Sequence, residues 1–351
     1  MGFEMWKMRF KILDCRLRIV DFYSSTLCSS LFALCLLLFS SCNNQQTNQR
    51  TNEPVNQQTQ SSNPKFQIVP AFDSQKSFQY LTAQCNFGPR NPGSIGAKKC
   101  LQYLSDELSK FADTVILQQF MHDGYKNKIY QMTNIFGRFQ QNNPNRILLL
   151  AHWDTRPRAE RDEDSTKREQ PILGANDGAS GVAVLLEIAR HLKETKPNIG
   201  VDILFVDGED YGEEGDLSRY LLGAKYFAKN FHFEHPPQFG ILLDMVGDAE
   251  LEIRKEKASQ HFANDVVELV WNTANELGVT QFSELEGPSL IDDHIPFNEA
   301  GIKCIDLIDF NYPNETKNYW HTTQDTPEHC SAESLEAVGK VLLHVIYKLP
   351  V

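Results

Sequence analysis

Apolar positions recur along this chain with two periods, and the alternation between them predicts a layered α/β fold. Over Gly178–Lys193, the residues Val182, Leu185, Leu186, Ala189 and Leu192 fall at helical spacing. Ser74–Gln84, Ile95–Phe111, Gly223–Phe231 and Glu333–Lys348 also read as helices, and Phe262–Leu277 as one closed by Gly278. Short runs lie between them. Arg146–Ala151 contains Ile-Leu-Leu-Leu-Ala, which suits a central strand buried on both faces. Val115–Phe120, Tyr130–Arg138, Asp202–Val206, Phe239–Met245 and Cys304–Ile308 are the other expected strands. Strands alternating with helices imply a three-layer αβα sandwich around a central mixed, mostly parallel β-sheet. No internal repeat interrupts the order. In open sheets of this kind, sites form beyond the carboxyl ends of the strands.

The start of the chain follows a different pattern. Lys7, Arg9, Lys11, Arg16 and Arg18 precede an apolar run from Leu31 to Phe39, too short for an ordinary membrane span and suited to a signal-peptide core. Ser40, Ser41 and Cys42 follow, as in a bacterial lipobox, so 1–42 reads as a signal peptide and Cys42 as a candidate lipid anchor to a membrane. An ordinary signal peptide with an incidental cysteine is the plainer alternative. The stretch ahead of the apolar run is long for a leader, which makes Met5 or Met8 an alternative start. Residues 43–64 are Asn, Gln, Thr and Ser with almost nothing apolar, and suit a flexible tether. The remainder, 65–351, is one large domain's worth of chain. The expected product is an exported protein, periplasmic or membrane-anchored.

Charge and cysteines narrow the classes. The formal net charge is -12, and no basic stripe interrupts the mature part, which argues against nucleic acid as a partner. Of 8 cysteines, Cys85, Cys100, Cys304 and Cys330 lie beyond the leader and Cys42. None has Cys-x-x-Cys spacing, so buried or paired structural roles are expected.

The chemistry sits at strand ends. His152-Trp153-Asp154 closes one strand, Asn176-Asp177-Gly178 enters a helix, Gly208-Glu209-Asp210 follows another strand, and Trp320-His321-Thr322 comes late. Zinc takes imidazole nitrogen and carboxylate oxygen, and a catalytic zinc keeps one position open. His152, Asp177, Asp210, Asp244 and His321 are the available ligands. Asp154 points to the same side as His152 on an extended chain and can orient its imidazole. Glu209 and Asp210 diverge, so one can bind metal while the other works as acid and base. Each piece alone is common: a lone Asp at a strand end is usually a cap, and Asn-Asp-Gly is usually a turn. The joint order is what points to a metal. His294 suits a helix entry, and the remaining histidines suit surface or structural roles.

These residues resemble the zinc-dependent aminopeptidase superfamily and, within it, the glutaminyl cyclases (glutaminyl-peptide cyclotransferases), over nearly all of 65–351. Asp292-Asp293-His294-Ile295-Pro296-Phe297 and Trp320-His321 favour the cyclase branch, and His152-Trp153-Asp154-Thr155-Arg156-Pro157 looks like its bacterial members of animal type. The resemblance implies an aminopeptidase-like fold and one zinc held by Asp177, Asp210 and His321. Animal cyclases have Glu where this chain has Asp210, whose reach is shorter. It further implies Glu209 as proton shuttle, supported by Asp292 and Asp244, and Trp320 as a wall of the substrate pocket. The expected substrates are peptides or proteins with N-terminal Gln, acted on by a monomer. Animal enzymes carry another Trp on the loop after the metal-binding acid, whereas 211–220 has none, which leaves the second pocket wall open. The peptide after the Asp177 position is often cis in the superfamily, so a cis Asp177–Gly178 bond is expected. A di-zinc aminopeptidase is the alternative, with His152, Asp177 and Asp244 on one metal and Asp177, Asp210 and His321 on the other.

Overall fold

The structure is a computed structural model and describes residues 67–350. The expected leader, Cys42 and the tether over 43–64 lie outside the described residues. Among the described residues, no helix is long and apolar enough to cross a membrane.

The principal strands are β1 (Thr114–Asp123), β2 (Ile129–Phe139), β3 (Arg146–His152), β4 (Gly200–Val206) and β5 (Gly240–Asp244). A small side sheet of β6 (Ile253–Lys255) and β7 (Phe282–Glu286) precedes β8 (Cys304–Ile308). The central six-stranded sheet has the order β1-β2-β4-β3-β5-β8. The pairs β1/β2 and β2/β4 are antiparallel, whereas β4/β3, β3/β5 and β5/β8 are parallel. The parallel strands are buried along their whole lengths, and their side chains alternate between two cores. Ile147, Leu149 and Ala151 of β3 enter one core, and Leu148 and Leu150 enter the other. The first core is covered by α1 (Ser74–Cys85), α2 (Ile95–Phe111), α3 (Ser180–Glu194), α5 (Lys257–Leu277) and α7 (Ala332–Lys348). The second is covered by α4 (Leu222–Asn230) and α6 (His294–Glu299). The expected three-layer sandwich with a mostly parallel sheet is the observed architecture.

Local chemistry sets the helix ends. The side chains of Asp73 and Ser94 accept hydrogen bonds from the N–H groups of Lys76 and Ala97, each at 2.9 Å, at the starts of α1 and α2. Gly278 closes α5 in the left-handed region at φ 65°. The same helix begins before the expected Phe262. Glu256 accepts the N–H groups of Ala258 and Ser259 at 2.8 and 2.5 Å, and this first turn buries only small side chains, which carry little hydrophobic signal. Cys85, Cys100, Cys304 and Cys330 are buried and unpaired.

One buried ion pair fastens β3 to β4 at the end away from the strand carboxyl termini. Arg146 donates through Nη2 to Asp202 Oδ1 at 2.6 Å and through Nε to Oδ2 at 2.7 Å, and both side chains are fully buried. Arg146→Ala should lower the unfolding free energy by about 3 kcal/mol, the low end for breaking a buried pair. Arg138 still holds Asp202 Oδ1 at 3.2 Å, which limits the loss. Denaturant unfolding of wild type and variant checks this value.

Candidate metal centre

The carboxyl ends of β3, β4 and β5 supply a cluster of ionisable groups. His152 and Asp244 are the last residues of β3 and β5. Glu209 and Asp210 follow β4 after a turn at Gly208, whose φ of +75° favours glycine. Asp177 comes from the loop that leads into α3. There Gly178 has φ +104°, and a Cβ on it would lie 2.4 Å from the backbone oxygen of Asp154. Only glycine meets both conditions. The cis peptide expected at Asp177–Gly178 is not found: among the described residues the cis bond is Tyr312–Pro313. The chain turns toward α3 through the positive φ of Gly178, with that peptide trans.

Two ligand groups share Asp177. Donor atoms of His152, Asp177 and Asp244 converge, as do those of Asp177, Asp210 and His321, each set lying within 4.8 Å. Asp177 Oδ1 is 3.3 Å from His152 Nε2, and its Oδ2 is 3.7 Å from His321 Nε2. His321 Nε2 also lies 3.3 Å from Asp210 Oδ1, and His152 Nε2 lies 3.1 Å from Asp244 Oδ1. Asp177 Oδ2 and Asp210 Oδ2 are buried with no hydrogen-bond partner. Buried, unpartnered carboxylate oxygens in a cluster with imidazole nitrogens are costly without a cation and match the donor chemistry of zinc. The residues present fit a metal of that kind.

Further polar groups hold these ligands. Asp325 accepts the N–H groups of Asn176 and Asp177 at 2.8 and 3.1 Å, and Tyr312 Oη donates to it at 3.0 Å. Asn176 Oδ1 accepts the N–H of Gly247 at 2.7 Å, which ties the Asp177 loop to the segment after β5. Asp154 lies 3.7 Å from His152 Nδ1, beyond hydrogen-bond reach. Its two oxygens instead accept the N–H groups of Glu209 and Asp210 at 3.1 and 3.3 Å, so it fixes the backbone that carries both carboxylates. His321 itself sits in the left-handed region at φ 58°, uncommon for a residue with a side chain.

The charges act strongly on one another. Burial pushes Glu209 well above the usual carboxylate range, and the neighbouring Asp210, Asp292 and Asp293 push it further. Asp292 is likewise raised by burial and then by Asp244 and Asp293. Asp210 departs the other way: burial would raise it, but His321 and Arg156 together hold it below the ordinary value. His294 opens α6, fully buried, and burial lowers it to about 4.

A cavity of about 250 Å³ opens over this cluster, with Glu209, Asp244, Asp292 and His321 among its lining residues. Trp320 stacks on His321 with ring centroids 3.7 Å apart, and Phe310 packs against Trp320 at 5.0 Å, tilted. The side of the cavity that the sequence left open is lined by Leu217 and Tyr220 of the 211–220 segment. The β1–β2 hairpin tip holds that segment. Tyr125 Oη donates to Asp216 and accepts the N–H of Glu213, both at 2.9 Å, and its ring stacks on Tyr211. Arg156, Glu160, Asp325 and Tyr312 are the site groups that sequence reasoning missed. The available signals were positional: Arg156 lies within the His152–Pro157 motif, Glu160 just after it, and Asp325 four residues past His321.

Comparison with known proteins agrees with this geometry. The pattern of peptidase family M28 matches residues 134–346. Among sequence relatives, aminopeptidase YwaD of Bacillus subtilis is 28% identical over 216 residues, and the match spans 58% of this chain but only 41% of that protein. The glutaminyl-peptide cyclotransferase of Bos taurus is 23% identical over 291 residues, covering 72% of this chain and 76% of that protein. Among solved structures, a glutaminyl cyclase of Bacteroides thetaiotaomicron bound to N-acetylhistamine superposes with a TM-score of 0.77. It is 38% identical, and the match covers 81% of this chain and 100% of that one. A Zn-dependent exopeptidase of Parabacteroides distasonis gives the same TM-score of 0.77 and 38% identity over 80% of this chain and 99% of that one. By the matched pattern, the shared fold and the length over which both extend, this chain belongs to peptidase family M28, beside bacterial glutaminyl cyclases.

Proposed function

We propose that the protein is a zinc-dependent glutaminyl-peptide cyclotransferase, converting an N-terminal glutamine of peptides or proteins to pyroglutamate with release of ammonia. The observation that carries this reading is the 38% identity to a bacterial glutaminyl cyclase over the whole length of that enzyme. Asp177, Asp210 and His321 hold one zinc ion. When bound, zinc supplies Lewis-acid polarisation of the substrate's side-chain carbonyl.

The chain's own groups do the rest. Trp320 lines the pocket for the glutamine side chain, and the cavity folds that side chain back toward its own α-amine. Glu209, as carboxylate, takes a proton from the neutral α-amine while the amine nitrogen attacks the side-chain carbonyl carbon. As the new C–N bond closes the ring, the amide C–N bond breaks, and Glu209 returns the proton to the departing nitrogen, which leaves as ammonia. A shuttle needs an affinity for protons above that of an ordinary carboxylate. The burial of Glu209 and the nearby Asp292 raise that affinity, and Asp244 acts through Asp292. The attack is intramolecular, so holding a near-attack geometry supplies much of the rate, and no water takes part.

One feature favours a second reading, a di-zinc aminopeptidase. Asp177 turns one oxygen toward His152 and the other toward His321, as a bridging ligand would. The two readings part in one assay. The cyclase should release ammonia from a Gln-initiated dipeptide while its peptide bond stays intact. Free amino acids in place of ammonia would transfer the assignment to the peptidase. The same proposal includes export through the 1–42 leader, a lipid anchor at Cys42, a tether over 43–64 and a monomeric catalytic domain over 65–351.

A further inference from the structure

We propose that Arg156 is a positioning residue that braces two of the three zinc ligands at once and ties them to the pocket wall. The inference rests on reading Asp177, Asp210 and His321 as the ligand set. Arg156 is only 1% exposed, and its donors are distributed over three partners. Nη1 donates to Asp210 Oδ1 at 2.6 Å and to the Asp210 backbone oxygen at 3.1 Å. Nε donates to Glu160 Oε1 at 2.6 Å, and Nη2 reaches the same oxygen and, at 2.8 Å, Tyr220 Oη.

The consequences follow from geometry. Arg156 thus binds the same Asp210 oxygen that faces His321 Nε2 at 3.3 Å, while Oδ2 stays buried without a hydrogen-bond partner. Glu160 Oε1 lies 3.6 Å from His321 Nδ1, on the side of the ring away from the ligand cluster. That separation is beyond hydrogen-bond reach, so the carboxylate acts through its charge, which favours a proton on the far nitrogen and leaves Nε2 for metal. Arg156 thus fixes Asp210 directly and, by holding Glu160, sets a negative charge beside His321. Tyr220 lines the cavity, so the same guanidinium couples the pocket wall to the ligands. Lysine cannot replace it: one ammonium is a point charge, whereas the planar fork serves partners in several directions. Arg156 also binds the backbone of Asp210, which sets where this short side chain begins.

The test is zinc affinity, measured on the purified chain by competition with a chromophoric chelator, with thermal unfolding of the metal-free form as control. Arg156→Lys keeps the charge and removes the fork. It should weaken zinc binding about 10- to 100-fold, the usual loss when a group supporting a metal ligand is changed. Glu160→Gln keeps an acceptor for Arg156 but takes the carboxylate from His321, and should weaken binding about tenfold. If Arg156→Lys does not fold, the Glu160 variant still decides the matter. Unchanged zinc affinity in the variants that fold, even with a lowered unfolding temperature, would mark a purely structural role and overturn the proposal. A wild-type chain that binds no zinc overturns the ligand reading, and the brace with it.

Discussion

Glu209→Gln should lower turnover of a Gln-initiated peptide by about 10²–10⁴-fold, the usual contribution of a general acid–base group. Glutamine fills the same volume and lines the same cavity, but it cannot carry the proton from the α-amine to the departing ammonia. The loss should fall on kcat, because the reacting proton moves only as the ring closes. Zinc content should be unchanged, since Glu209 is absent from both ligand groups. The fold should also tolerate the change. Burial and the surrounding carboxylates disfavour the ionised form of Glu209, and a neutral amide removes that penalty. Steady-state kinetics with elemental analysis of the same preparation measure both halves. Near-normal kcat in a zinc-loaded variant would remove Glu209 from the mechanism.

The second large effect concerns metal stoichiometry. His321→Ala should abolish zinc binding and activity together, because it leaves Asp177 and Asp210 without their nitrogen partner. His152→Ala should leave zinc bound at one per chain. In the cyclase reading His152 works as a hydrogen-bond partner: its Nε2 sits 3.1 Å from Asp244 Oδ1, and Asp244 in turn acts on Asp292 beside the shuttle. A second ion at His152 and Asp244 would recruit that carboxylate and change the surroundings of Glu209. Elemental analysis of protein purified without added metal decides it. Two zinc ions in wild type, with one lost in His152→Ala, would overturn the single-ion reading and favour the aminopeptidase.

How much of this was legible in advance depended on distance along the chain. The parallel strands were readable because burial on both faces leaves an unbroken apolar run, as in Ile147–Ala151. The helix α3 was readable from its apolar period. The short β6 and β7 were not, since each buries one residue and leaves no apolar run, and α6 was marked only at its entry, His294. His152, Asp177, Asp210 and Asp244 stood out in sequence because strand ends and a helix entry mark them, His321 by its late place beside Trp320, and the structure draws them into two groups sharing Asp177. Their supports did not stand out. Asp325 meets Asn176 across 149 residues, and only the folded chain brings the two loops together. Arg156 entered the sequence reading only as part of the His152–Pro157 motif, and nothing local showed that its partners would be Asp210 and Tyr220. The missing tryptophan after Asp210 left one cavity wall blank in sequence, and the fold fills it with Leu217 and Tyr220.

The grip of Tyr125 on the 211–220 segment has an evolutionary consequence. The groups that do chemistry sit at strand ends, where a shift of a few tenths of an ångström would disturb several of them together. The outer wall is instead tethered to a hairpin tip that contributes no residue to the cavity lining. Lengthening or shortening that hairpin would redraw the entrance near Glu213 and Asp216, while Tyr220, at the other end of the segment, keeps its bond to Arg156. Relatives that share every ionisable group at the strand ends could therefore diverge in which peptide termini they admit, through a turn that an inventory of the active site would overlook.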